Sequence, residues 1–380
     1  MAKKVLLAIA VLSAPVFACT TIVAGKNATV TGRVILGHNE DDRGNFKVLH
    51  AFVPRRVFAE GTRIPAEKGR AEIPQIGETL GFYWAEVNGG SWNPSFADVF
   101  LNEKGVAVVS NNGRGKPNND GSQLVDGGLA WVLRRAVAER ATSARHAVDV
   151  ITNLVSVWGY SAPGRIYTVA DKDEAWVVEL SYGRRNFVAR RVADDEVALI
   201  PNAYTIRTFL PGDVLSPDMA AKGVGFDFAR EFQRENSWKV PHNQDRMRNM
   251  VRIFTGRDWP DDDYPFSVKP AVKVDAALME KALSSHYEGT PDEIPADEHG
   301  LRHDESKVTP ICRFNTVGSS VFEFATVAAD TRMRFCAGPP CRGKYRDVYP
   351  LKSLPADIDA SVSAVERLEV HPCPPSPARH

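Results

Sequence analysis

Short runs of β-branched and apolar residues, separated by glycine, asparagine and aspartate, dominate the chain after residue 18. This pattern predicts antiparallel strands at residues 19–25, 30–41 and 47–55. The stretch "LNEKGVAVVSNNG" predicts a further hairpin, with its turn at residues 103–105. We therefore expect the segment that begins at Cys19 to be buried in a sheet.

Apolar residues at helical spacing follow these strands. Two such sets predict two helices, or one broken helix: Leu129, Val132, Leu133 and Ala136, and then, after Thr142 and Ser143, Ala144, Ala147, Val148, Ile151 and Val155. Strand patterns resume at 165–171, 175–181 and 186–192, where we expect Trp176 to lie in the core. The order of strands, helices and strands, without regular βαβ alternation, predicts a layered α+β domain.

The first 18 residues have the pattern of a secretion signal. Lys3 and Lys4 precede an apolar run from Val5 to Ala14, and Val16 and Ala18 lie where a signal peptidase requires small residues. The run is shorter than the roughly 20 residues of a membrane span, and no later segment approaches that length. We therefore predict an exported, periplasmic or secreted protein with a signal peptide at 1–18 and one domain at 19–380.

Composition narrows the classes of partner. Cleavage after Ala18 would leave 380 − 18 = 362 residues and change the formal charge from +0 to −2 by removing two lysines. Such a balance does not favour nucleic acid or a membrane surface as partner. A hydrophobic content of 43% is ample for a large core. The sequence leaves the oligomeric state open, homo-oligomers included.

Five cysteines raise the question of pairing in an oxidising compartment. Four lie in the last quarter of the chain, namely Cys312, Cys336, Cys341 and Cys373. Because Cys336 and Cys341 flank the turn-forming "AGPP", we predict that they are bridged, with Cys312 and Cys373 as a less certain second pair. Parity then leaves Cys19 as the odd thiol.

Three interpretations of Cys19 compete. A lipid anchor would require a small residue where Phe17 stands, and a flexible tether after it. A disulfide would leave another cysteine unpaired. As the first residue of a mature chain, Cys19 would carry its own α-amino group, a general base of ordinary pKa about 7.7 to 8.0, beside the nucleophilic thiol. We favour this third interpretation.

The sequence "CTTIVAGKNATVTGRVILGHNEDD" resembles the opening of the secreted bacterial dipeptidases of the N-terminal-nucleophile (Ntn) cysteine class, relatives of penicillin V acylase and bile salt hydrolase. Later motifs occur in the order of that family: "NEKGVAV", "RRAVAERATSARHAVDVI", "VADKDEAWVVEL", "RRVADDEVALIPNAYTI", "YPFSVKP" and "SSHYEGTPDE". The resemblance implies a four-layer αββα fold, with two antiparallel sheets between helical layers. It also implies a peptide-bond hydrolase acting through the N-terminal cysteine, without a cofactor.

Roles follow from the matching motifs. Cys19 resembles the nucleophile, Asp41 the aspartate that contacts its amino group, and Asn202 the asparagine of the oxyanion hole. His38 stands where the acylase relatives have arginine, so a cation at this position is in doubt. Asn111 and Asn112, which end a predicted strand, are weaker candidates for a substrate or oxyanion contact, and Arg313 in "ICRFN" resembles a late active-site arginine of the family. Turn or surface roles remain open for Asp41, Asn202 and Arg313.

Other chemistry is not supported by the sequence. Glu298, His299, His303 and Asp304 lack an HExxH-type motif and are interpreted as a solvated charged loop. The aspartates at 261–263 lack the spacing of a calcium loop, and no phosphate-binding glycine motif is present. We therefore predict a cysteine dipeptidase that cleaves unblocked dipeptides. An acylase-type amidase and a peptide-binding envelope lipoprotein are the alternatives.

Overall fold

The computed structural model describes residues 19–42, 47–66, 68–88, 99–235, 237, 239–259, 263–298, 300 and 302–361. The predicted signal peptide and Cys373 lie outside them. Two large sheets, antiparallel at every pairing, dominate the described residues. No helix among the described residues combines the length and the apolar character required to cross a bilayer.

The first sheet has seven strands in the order β16-β14-β1-β2-β17-β18-β19. Its strands are β1 (Thr20–Ala24), β2 (Ile35–Asp41), β14 (Val197–Ile200), β16 (Ser267–Val268), β17 (Thr316–Glu323), β18 (Arg332–Ala337) and β19 (Arg346–Val348). Because β1 lies between β14 and β2, the chain from Cys19 onward enters the middle of a sheet, as predicted.

The second sheet has eight strands in the order β15-β13-β12-β11-β10-β9-β8-β3. They are β3 (Lys47–Val53), β8 (Phe82–Asn88), β9 (Val99–Asn102), β10 (Ala107–Asn112), β11 (Arg165–Ala170), β12 (Ala175–Leu180), β13 (Phe187–Arg191) and β15 (Val214–Leu215). Two short pairs accompany them: β4 (Arg56–Val57) with β7 (Glu78–Thr79), and β5 (Arg63–Ile64) with β6 (Ile73–Pro74). The predicted 101–113 hairpin is confirmed as β9 and β10, with Gly105 at φ +80° in its turn.

Six α-helices occur among the described residues: α1 (Val132–Arg140), α2 (Ala144–Trp158), α3 (Pro217–Ala220), α4 (Phe228–Phe232), α5 (Pro241–Thr255) and α6 (Ala276–Leu283). The two helices predicted from apolar spacing are confirmed as α1 and α2. Ser143 caps α2 by accepting a hydrogen bond from the His146 backbone N–H at 3.1 Å. The sequence analysis did not identify α5 and α6.

Three apolar cores define the layers. One core joins α1 and α2 to the eight-stranded sheet and includes Trp176, as predicted. A second core lies between the two sheets and contains Val23 of β1. A third contains Ile22 together with Met250 of α5 and Met279 of α6. Since successive residues of a strand point to opposite faces, β1 packs on the other sheet with one face and on α5 and α6 with the other. The predicted αββα sandwich is therefore confirmed.

Candidate active site

The Cys19 thiol lies at the start of β1, between the two sheets. Only 3% of Cys19 is exposed, and its Sγ donates a hydrogen bond to Glu40 Oε1 at 3.2 Å. This contact follows from the register, in which Thr20 pairs with Asn39 and Thr21 with His38. Burial raises the pKa of the Cys19 thiol well above its usual range, and the carboxylates of Glu40 and Asp41 raise it further. The backbone N–H of Asp41 lowers the pKa of the thiol, but its effect is smaller than those of burial and of the two carboxylates.

A chain of hydrogen bonds, here called the Cys19 network, continues from Glu40. Glu40 Oε2 lies 3.0 Å from His38 Nε2, and His38 Nδ1 lies 2.8 Å from Thr21 Oγ1. Thr21 Oγ1 in turn donates to Asn111 Oδ1 at 2.6 Å. The network therefore links β1 and β2 of one sheet to β10 of the other.

The network fixes the tautomer of His38. The single hydroxyl hydrogen of Thr21 is used by Asn111, so His38 Nδ1 must donate its proton to Thr21. His38 Nε2 and Glu40 Oε2 then share one further proton between them. Burial raises the pKa of Glu40 to about 7, which places this exchange close to neutral pH. His38 thus supplies a proton-sharing partner for Glu40.

The backbone carbonyl of Cys19 is held from two directions. Asn111 Nδ2 donates to it at 2.8 Å and also to the Ile200 carbonyl at 3.1 Å. The guanidinium of Arg246, on α5, donates to the same Cys19 carbonyl at 2.7 Å and to Thr20 Oγ1 at 2.8 Å. Cys19 is consequently fixed in orientation as well as in position.

Asp41 occupies the helix-facing side of β2. Its Oδ1 accepts from Thr316 Oγ1 at 2.6 Å, whereas its fully buried Oδ2 has no hydrogen-bond partner among the described residues. Burial raises the pKa of Asp41 to about 7, although the positive charge of Arg313 favours the ionised form. A buried carboxylate oxygen without a donor is costly, so this position suits a cation.

Asn202 lies two residues after the end of β14, one of the two strands that pair with β1. Its Oδ1 accepts from Arg246 at 2.8 Å, which fixes the orientation of the amide. One N–H of Asn202 Nδ2 donates to the Asn112 carbonyl at 3.1 Å. The second has no partner among the residues that the structure describes, and is available to another acceptor.

Arg313 lies near this group, with 8% of its surface exposed. Its guanidinium forms an ion pair with Glu305 at 2.7 Å, and its charge acts on both Asp41 and Cys19. The structure therefore brings the sequence-predicted candidates together around Cys19, with Asn112 contributing only its backbone carbonyl.

Sequence reasoning missed Glu40 and Arg246. The two-residue period of a strand places Glu40 on the same face as His38, so alternation in "GHNEDD" was an available signal. Arg246 lies on α5 with Asn243 and Asn249 at helical spacing, and all three are buried. A buried polar stripe on that helix was the corresponding signal for Arg246.

The predicted Cys336–Cys341 bridge is wrong. Both residues carry free thiols, because Cys336 points inward from β18 while Cys341 lies in the following turn beside His303 Nε2, at 3.2 Å. His303 also departs from the solvated loop that the sequence predicts, since its imidazole contacts this thiol. His299 and Cys373 lie outside the described residues.

Comparison with known proteins identifies the family. The model of Peptidase family C69 matches residues 130–330, which is more than half of the chain. The chain belongs to Peptidase family C69. The predictions of the family and of a peptide-bond hydrolase are thereby confirmed.

Relatives of this C69 peptidase include two curated proteins. It is 23% identical over 330 residues to a probable dipeptidase of Salmonella dublin, covering 81% of this chain and 74% of that protein. It is 26% identical over 334 residues to a probable dipeptidase of Latilactobacillus sakei, covering 77% of this chain and 64% of that one. The chain thus spans less than two thirds of the second relative.

Among solved structures, the C69 peptidase is similar to penicillin V acylase from Agrobacterium tumefaciens. The TM-score is 0.39 and the identity 12%, covering 84% of this chain and 82% of that chain. The assignment of the sandwich rests on the layers described above.

Proposed function

We propose that this C69 peptidase is an exported dipeptidase that becomes active when cleavage before Cys19 leaves it as the N-terminal residue. The buried Asp41 Oδ2, which has no donor among the described residues, carries the proposal. A newly formed Cys19 ammonium group would supply both a proton donor and a compensating charge to this carboxylate. The names of the curated relatives support a dipeptide as the substrate class.

In the proposed reaction, the neutral form of the Cys19 α-amino group accepts the thiol proton and becomes the ammonium that Asp41 stabilises, while the sulfur attacks the peptide carbonyl. The uncommitted N–H of Asn202 donates to the oxyanion, in an orientation fixed by Arg246. The amine product leaves with the proton, and water then hydrolyses the thioester. Asn111 and Arg246 hold the Cys19 carbonyl, so the sulfur keeps one direction of approach.

The proton-sharing pair of Glu40 and His38 acts on the thiol through its charge. While the pair is net neutral, Glu40 accepts the thiol hydrogen without opposing ionisation of the sulfur. When the pair loses its shared proton, the added negative charge disfavours the thiolate. We therefore assign Glu40 as a positioning residue whose protonation sets the upper pH limit of activity.

Purified, correctly processed protein tests the proposal on three substrate classes: unblocked dipeptides, the same dipeptides N-acetylated, and penicillin V or a conjugated bile acid. We expect cleavage of the unblocked dipeptides alone. Cleavage restricted to acylated substrates would contradict the dipeptidase assignment in favour of an amidase. Absence of hydrolysis in all three classes would favour a binding protein.

Two variants test the role of the N-terminus. Cys19→Ala removes the nucleophile, and we expect kcat to fall on the order of 10⁵- to 10⁶-fold. A chain that keeps Cys19 but retains one residue before it should be equally inactive, because an amide nitrogen cannot act as the base. Cys336→Ala, which removes another buried thiol, is the matched control and should keep full activity. Activity in the chain with the retained residue would refute the N-terminal base.

A further inference from the structure

A second group of sulfur and nitrogen donors lies outside the Cys19 network. It consists of four side chains, here called the four-donor cluster: His286, His303, Cys312 and Cys341. One ligand atom from each lies within 4.8 Å of those of the other three. Two stretches of chain supply them: the long connection between α6 and β17 carries His286, His303 and Cys312, and the turn after β18 carries Cys341. No sequence motif joins these stretches, so the fold alone brings the donors together.

The distances within the cluster fit a tetrahedral metal ion. Zn–S bonds of about 2.3 Å and Zn–N bonds of about 2.0–2.1 Å place sulfur and nitrogen about 3.6 Å apart in a tetrahedron. The His303 Nε2 atom lies 3.2 Å from Cys341 Sγ and 4.0 Å from Cys312 Sγ, values on either side of that distance. The two imidazole centroids are 5.4 Å apart. A small contraction of the side chains would therefore complete the coordination.

His286 provides an independent indication that something is bound. The residue is 0% exposed, yet neither ring nitrogen has a hydrogen-bond partner among the described residues. Glu288 Oε1 lies 3.4 Å from His286 Nδ1, and Glu288 is itself held by the Ser285 hydroxyl at 2.9 Å. A carboxylate behind one ring nitrogen is the usual arrangement when the other nitrogen binds a metal. Here Nε2 would be the ligand.

We propose that the four-donor cluster binds one structural Zn²⁺ ion through His286, His303, Cys312 and Cys341. Two thiolates and two imidazoles in tetrahedral disposition favour zinc over copper(II) or nickel(II), which prefer tetragonal sites. Four protein ligands close the coordination shell, so the ion has no position for substrate or water. Cys312 directly precedes Arg313, and the ion would therefore fix the chain segment that holds this arginine beside Asp41.

A Cys312–Cys341 disulfide is the competing use of these thiols. It would leave His286 Nε2 without a partner in a buried site, while Glu288 remains beside Nδ1. Metal binding satisfies all four side chains at once. The two possibilities differ in metal content and in the number of titratable thiols.

Metal analysis of the full chain, purified without chelator and desalted, tests the proposal. We expect one zinc ion per chain, and a complete loss of bound zinc in Cys312→Ser and His286→Ala. Cys336→Ser is the matched control for the loss of a buried thiol and should keep its zinc, as should Cys19→Ala. Replacement by Co²⁺ should give the visible absorption of a tetrahedral cobalt thiolate. None of these readouts depends on the proposed dipeptidase activity.

Three results would overturn the zinc site. The first is wild-type protein that takes up no added Zn²⁺, whether its thiols are free or Cys312 and Cys341 are missing from a thiol titration, which would show the disulfide. The second is full zinc content in Cys312→Ser. The third is loss of zinc in Cys19→Ala. Because misfolding of Cys312→Ser would also abolish zinc binding, replacement of the half-buried His303 in His303→Ala provides a second variant, with circular dichroism as the check on folding.

Discussion

The Cys19 network and the four-donor cluster use similar residue types but differ in how their polar groups are satisfied. Cys19, His38 and Glu40 also bring their ligand atoms within 4.8 Å of one another. In the network, each of these side chains is hydrogen-bonded to the next. In the four-donor cluster, the buried His286 imidazole has no such bond among the described residues. Proximity of cysteine and histidine therefore does not by itself indicate a metal, whereas a buried imidazole without a hydrogen bond, placed beside two thiols, does.

The largest expected effect that tests this comparison concerns Asn202, whose side-chain amide lies beside the Cys19 network. Asn202→Ala removes the proposed oxyanion donor, and we expect kcat to fall about 10²- to 10³-fold with little change in KM. Steady-state kinetics on an unblocked dipeptide measures this. The zinc content should remain at one per chain, because Asn202 contacts Arg246 and the Asn112 carbonyl and none of the four donors. A rise in KM with an unchanged kcat would contradict the role of Asn202 in the transition state.

The second prediction tests whether the network depends on every hydrogen bond. Thr21→Val keeps the side-chain shape but leaves His38 Nδ1 and Asn111 Oδ1 without this partner in a buried site. We expect the free energy of unfolding to fall by about 1–3 kcal/mol, measured by chemical denaturation. In protein treated with a chelator, His303→Ala should lower the free energy of unfolding by less than Thr21→Val does. The reason is that, without the metal, the four-donor cluster is not joined by a continuous chain of hydrogen bonds. Equal losses for the two variants would remove the distinction between the regions.

The smallest effect concerns the charge of Glu40. Burial is the main cause that raises the pKa of the Cys19 thiol, and the charge of ionised Glu40 raises it further. The neutral side chain in Glu40→Gln should therefore lower that pKa. We expect the rate of Cys19 alkylation to increase several-fold above pH 7, where wild-type Glu40 is ionised. Below pH 7 the two proteins should converge, because the pair of Glu40 and His38 then holds its shared proton and is net neutral. An alkylation profile that does not change with Glu40→Gln would contradict the assigned role of Glu40.

Much of the sandwich could be predicted because its strands alternate or form short apolar runs bounded by turn residues. The helices α1 and α2 have apolar faces at helical spacing. By contrast, α5 combines apolar Met250 with buried Asn243, Arg246 and Asn249, so polar residues interrupt its inward face. The polar residues that hold the Cys19 carbonyl are therefore the ones that obscured the helix.

Residues of the candidate site could be predicted from the sequence only where they belong to a recognisable motif. Cys19, Asp41 and Asn202 stood out because of position and motif, whereas Glu40 required the strand register. The four-donor cluster could not be predicted, since its members extend from residue 286 to residue 341 and meet only after β17 and β18 pair. Closeness along the chain suggested the Cys336–Cys341 bridge, but a strand end and a turn point the two thiols to different neighbours.

The hydrogen bonds from Asn111 and Arg246 to the Cys19 carbonyl affect the order in which the site can form during folding. Arg246 reaches this carbonyl across 227 positions of sequence, and Thr316 reaches Asp41 across 275. Such non-local contacts form slowly, because the loops that they close lose much conformational entropy. A chain emerging from synthesis or export therefore lacks the Arg246 contact to the Cys19 carbonyl until α5 has folded, and lacks the Thr316 contact to Asp41 until β17 has formed. The surroundings of the thiol are complete only when both segments are in place.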